Sequence, residues 1–118
     1  DYRIQTRDQM NLLHWKSVAN IEIAKTKYPI ASEEALDLVK KTEIAVSSIR
    51  GAEQRTKALL PLVDFYLSTH VDVESAKKKI RQAKKSIAFI EDQTGKLMCY
   101  GQLEDILSEY NYLLCDDS

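Results

Sequence analysis

The chain has 118 residues, with 17 Lys+Arg against 18 Asp+Glu. That length suits one domain able to bury roughly two-thirds of its unfolded surface, and the near-balance of charge excludes a global electrostatic pull toward nucleic acid or acidic lipid. Three glycines and two prolines leave too little turn material for a many-stranded β fold, so an all-α domain over residues 1–118 is expected.

The first segment, about Tyr2 to Lys27, places Ile4, Leu12, Trp15, Val18 and Ala19 on one helical arc, widened by Met10, Leu13 and Ile21. Tyr28-Pro29 ends it, because a residue before proline is pushed out of the α region. Ser32 offers an N-cap oxygen to a second helix, with Glu33 and Glu34 where the helix dipole favours negative charge. Its seam runs Leu36, Val39, Thr42, Val46, Ile49, Glu53, Thr56, Leu60, Val63, Leu67. That seam crosses Gly51 and Pro61, which disfavour a helix interior by about 1 and about 3 kcal/mol, and a kink or break is expected near Leu60.

Thr69-His70-Val71-Asp72 supplies the next turn and its capping candidates. Val73, Ala76, Ile80, Ala83, Ile87, Ile90, Thr94 and Leu97 then alternate steps of three and four, the period of a coiled-coil seam. Tyr100, Leu103, Leu107, Tyr110 and Leu114 continue after a shift of phase at Gly101. Unbroken, residues 72–115 would span roughly 65 Å. Three helices with short turns predict an antiparallel three-helix bundle; breaks at Pro61 and Gly101 would give four or five helices instead.

Few residues offer chemistry. His14 lacks the i+3 or i+4 partner of a helical metal site, and His70 falls in the expected turn, not on a helix shared with Glu74. Neighbouring acids such as Glu33/Glu34, Glu91/Asp92 and Glu104/Asp105 point about 100° apart and cannot share a substrate. No glycine-rich phosphate loop, CxxC, GxSxG or HExxH pattern occurs, so the expectation is a non-catalytic chain with neither cofactor nor metal. Cys99 and Cys115 would lie roughly 24 Å apart along one helix, out of disulfide reach; free thiols point to a reducing, cytoplasmic setting. The apolar runs are too short for a signal peptide or membrane span. A start at Asp1 instead of Met suggests a piece excised from a longer protein.

Two surfaces stand out as binding candidates. Lys77, Lys78, Lys79, Arg81, Lys84 and Lys85 form a basic strip, with Lys77, Lys78, Arg81, Lys84 and Lys85 the cations that would meet phosphate or an anionic membrane. The strip has no interleaved aromatics for base stacking, which disfavours nucleic acid. The acidic far end, where residues 96–118 hold five acids against one lysine, carries Tyr100, Glu104, Tyr110 and Tyr112, and tyrosines are enriched in recognition surfaces.

Met10, then Leu12-Leu13-His14-Trp15-Lys16, followed by two long helices of heptad-like spacing, resembles a spectrin repeat of the plakin type. The resemblance implies a left-handed three-helix bundle with Trp15 as a core anchor, joined to neighbouring helical repeats in a cytoskeletal or junctional scaffold. Phe89 would stand where the family's third helix has a tryptophan, and Pro61 departs from its continuous second helix. A protein-interaction or structural module is therefore the expected function. A phosphate-reading adaptor and a helical accessory subunit or inhibitor of an enzyme complex are the alternatives.

Overall fold

Thr6 sets the start of the first helix, α1 (Arg7–Lys27): its hydroxyl accepts from the Gln9 N–H while the Gln9 side chain accepts from the Thr6 N–H, a capping box that fixes the first turn. The computed structural model describes residues 5–114, which form α2 (Ser32–Ser47), α3 (Ala52–Thr69), α4 (Val73–Ala88), α5 (Gln93–Glu109) and a last turn, α6 (Asn111–Leu114). Tyr2, Ile4 and Cys115 lie outside the described residues.

The all-α expectation holds, while the three-helix layout gives way to five helices of sixteen residues or more plus the last turn. The breaks fall at residues 48–51 and 89–92, with α3 continuous through Pro61 and α5 through Gly101. At the first break, the Gln5 amide bonds both the Ser48 carbonyl and the Arg50 N–H at 2.8 Å. Arg55 donates to the Ile49 carbonyl at 3.0 Å and to Ser86 Oγ at 2.9 Å, tying the loop to α4. At the second break, Asp92 caps α5 by accepting from the Gly95 N–H, and Ile90 drops into the core from the loop itself. Ala31, with no side-chain cap, precedes α2 where Ser32 was expected to, whereas Asp72 caps α4 as the turn predicts.

Side-chain pairs give the helix directions. Asn11 meets Gln54 near the starts of α1 and α3, and Lys25 meets Asp64 toward their ends, so the two run parallel. Glu53 lies against Gly95, and Tyr110 reaches Asp64, so α5 is parallel to both. Tyr66 donates to Glu43, which Lys79 also approaches at 3.8 Å, joining α3 to α2 and α4 of a second layer. The molecule is thus two stacked helical hairpins, α1/α2 and α3/α4, followed by α5 beside α3. Its shortest extent, 21 Å, is the thickness of two helices of about 10 Å each.

α3 is the shared core element. Leu59, Leu60, Leu62, Val63, Phe65, Tyr66 and Leu67 are all buried, the all-round burial expected of a helix with neighbours on several sides. Phe65 stands edge-on to Tyr28 and to Tyr66 at 5.8 Å. Burial, followed by the hydrogen bond to Glu43, holds the Tyr66 hydroxyl well above the usual phenol range.

Two outcomes follow from this packing. Gly101 sits mid-helix with open space where a Cβ would go, so Gly101→Ala should stabilise the fold by about 0.5–1 kcal/mol in urea melts. The folded pKa of Tyr66 lies above the unfolded one. The stability its neutral hydroxyl contributes is therefore whole below about pH 10 and is lost as pH rises through the folded value. Tyr66→Phe should show a shallower alkaline loss of stability than the parent chain as pH rises above about 10.

Candidate functional site

Parallel α1 and α5 both pack on α3 and leave a groove of about 490 Å³ between them. Its apolar lining is Trp15, Leu60, Pro61, Met98 and Ile106. Trp15 on one wall is 64% exposed and Met98 on the other 53%. Pro61 on the floor has no N–H to give the Lys57 carbonyl one turn back, so the backbone of α3 is one hydrogen bond short beside the open space.

Polar groups line the same groove. Lys25 Nζ lies 2.6 Å from Asp64 and 4.0 Å from Glu22, and Lys57 lies 2.9 Å from Glu53. Burial opposes the charge of Lys25, yet the hydrogen bond and charge of Asp64, with Glu22 and Glu109, carry its ammonium above the ordinary lysine value. His14, its ring centroid 4.7 Å from that of Trp15, is held below the usual histidine range by burial and then by Lys57. Cys99, on the buried face of α5, is free, and burial pushes its thiol up.

The structure disperses the tyrosine candidates. Tyr110 is buried, its hydroxyl 3.5 Å from Asp64. Tyr112 is exposed, and its hydroxyl lies 3.5 Å from His70 Nε2. Tyr100 and Glu104 are exposed on α5, each two residues from Gln102 and so about 200° around the helix from the groove wall. Of the four expected at a partner face, Tyr110 is withdrawn into the core, while Tyr100, Glu104 and Tyr112 are exposed. Lys78, Arg81, Lys84 and Lys85 are exposed on α4, in the other layer, with Ile80 and Ile87 facing inward. Lys77 is half-buried and 3.6 Å from Glu74.

Trp15 does not take the core role implied by the spectrin-repeat resemblance. Of the arc expected inside, Leu12, Trp15 and Ala19 are exposed and Val18 is half-buried; the widening residues Met10, Leu13 and Ile21 do pack inward, beside the buried Ser17 and Ala24. The groove itself was not apparent in the sequence. Its lining recurs at helical spacing on α1 and α5 but mixes polar and apolar types, so no amphipathic pattern separates it from a solvated face. Pro61 was the available signal, since a proline ring inside a helix is better tolerated on a side that is not tightly packed.

Comparison with protein-family models, with curated proteins and with solved structures finds no match. Among the described residues, no helix is long and apolar enough to cross a membrane, and no group of three or more His, Cys, Asp or Glu could hold a metal ion.

The single tryptophan makes the groove observable. A pH titration of Trp15 emission should show a step from His14 with its midpoint below the ordinary histidine value of about 6.5, and His14→Gln should abolish that step.

Proposed function

We propose that this chain is a non-catalytic helical module that holds a segment of another protein in the groove between α1, α3 and α5. The observation that carries the reading is the placement of Trp15 and Met98 on facing walls of one concavity, both largely open to water. Aromatic side chains and methionine are the types enriched where proteins bind one another. Stacked helix pairs are a known way to build extended concave binding surfaces.

A scaffold role agrees with the two ends of the stack. The flank of α1 exposes Leu12, Ala19 and Ile23, and α5 exposes Leu97 and Tyr100. Terminal units of helical arrays carry a polar outer face, so these apolar flanks suit further helical units packed against them.

Panning a random peptide library on the immobilised chain tests the groove. Enriched peptides should bind Met98→Glu roughly thirtyfold more weakly, the loss expected for a central contact of about 2 kcal/mol, with helical circular dichroism unchanged. The exposed cations of α4 favour a second reading, a phosphate or anionic-membrane site. In that case, replacing Lys78, Arg81 and Lys85 by Gln, and not Met98→Glu, would remove binding, and binding would fall steeply with salt.

A further inference from the structure

We infer that the groove takes a cationic peptide segment, with an apolar side chain between Trp15 and Met98 and an arginine or lysine between Glu22 and Asp105. The inference rests on the groove being a protein-binding site and adds the chemistry of what it binds.

The lining contains Glu22, Asp64 and Asp105 with Lys25 and Lys57, and the two signs are not equally engaged. Both lysines are held, Lys25 by Asp64 at 2.6 Å and Lys57 by Glu53 at 2.9 Å. Glu22 has only the long 4.0 Å approach to Lys25, its side chain 67% exposed. Asp105 is exposed and makes no ion pair among the described residues. Each cation of the groove therefore has a close counter-charge, while the acids on the two walls, Glu22 and Asp105, have none among the described residues. An arginine is the side chain best able to pair with them, since its planar fork binds carboxylates in two directions.

Backbone electrostatics act in the same sense. Because α1, α3 and α5 are parallel, their C-terminal, negative dipole ends gather at one end of the groove, where Glu109 adds to the acids acting on Lys25. Lys25 already shows what this end does to a cation, since its ammonium is favoured there despite its burial. The opposite end holds Lys57 and His14, which leaves the groove polarised along its length. A bound segment would then place its cation toward Glu109 and its apolar anchor over the Trp15–Met98 span.

The probe is a library of random peptides of about ten residues, the extended length that matches α1 at about 31 Å, panned on the full chain. A consensus peptide and a copy with its Arg and Lys changed to Gln are then titrated against Trp15 emission. Enrichment of net-positive peptides is expected, with the Gln copy weaker by about fivefold, the effect of about 1 kcal/mol. Glu22→Gln combined with Asp105→Asn should weaken the parent peptide by a similar factor and leave the Gln copy unaffected; Arg81→Gln, on the other layer, should change neither. Enrichment of acidic or uncharged peptides that still require Met98 would overturn the charge assignment and leave the groove reading intact. Absence of any enrichment that Met98→Glu removes would defeat the groove reading, and this inference with it.

Discussion

Everything in this fold depends on burying the apolar sides of α3. A helix carrying Leu59, Leu60, Leu62, Val63, Phe65, Tyr66 and Leu67 has only a narrow strip to give to water, and each such side chain gains about 1.5–3 kcal/mol from full burial. One partner helix cannot cover that surface. α1 and α5 cover it in one layer, and α2 and α4 in the other. The groove follows from this arrangement, because two helices placed side by side on a third leave a channel over its remaining strip. Along that strip α3 carries Lys57, Pro61 and Asp64, none of them fully buried. That strip of α3 admits charge and a proline ring because no helix closes over it.

The composition made the helical class legible, and the apolar spacing located most of the core. Val39, Thr42, Val46, Thr56, Ala76, Ile80, Ala83 and Ile87 all sit inside as their periodicity implies. The helix ends were harder to read because the seams keep their phase across the breaks. Ile49 and Ile90 are buried from loop positions, so the hydrophobic repeat continues although the helix does not. Local capping chemistry carried the missing information. Thr6 with Gln9 is a capping box, and Asp92 is a good cap with Gly95 three residues on. Pro29 and Gly51 stand at real breaks, but Gly101 and Pro61 sit where α5 and α3 are open enough that a missing Cβ or a bulky ring disturbs no neighbour.

The first helix shows what periodicity cannot decide. α1 has one apolar arc through Leu12, Trp15 and Ala19 and another through Met10, Leu13, Ile21 and Ala24. The second arc is the one that packs: Ile21 and Ala24 are buried and Met10 and Leu13 lie against the core. Ser17 and Ala24 on that side are small enough to let α1 close on its neighbours, and the Ser17 hydroxyl bonds the Leu13 carbonyl at 2.8 Å. Trp15 is left on the other arc, where it lines the groove.

Exposed apolar side chains are ordinary when scattered, and Ile30, Ile44 and Phe89 stand alone in that way, each more than 70% exposed. Trp15 and Met98 differ in geometry, not in degree. They face one concavity whose floor is pinned by the Lys25–Asp64 and Lys57–Glu53 pairs, and its walls are fixed by their separate packing on α3. A segment entering it meets a shape already formed, so little ordering of the site opposes binding. The scattered residues lie on separate parts of the surface and offer a ligand no facing pair of large apolar side chains. Burial of α3 therefore shapes the core and also produces the preformed cleft to which the binding reading is attached.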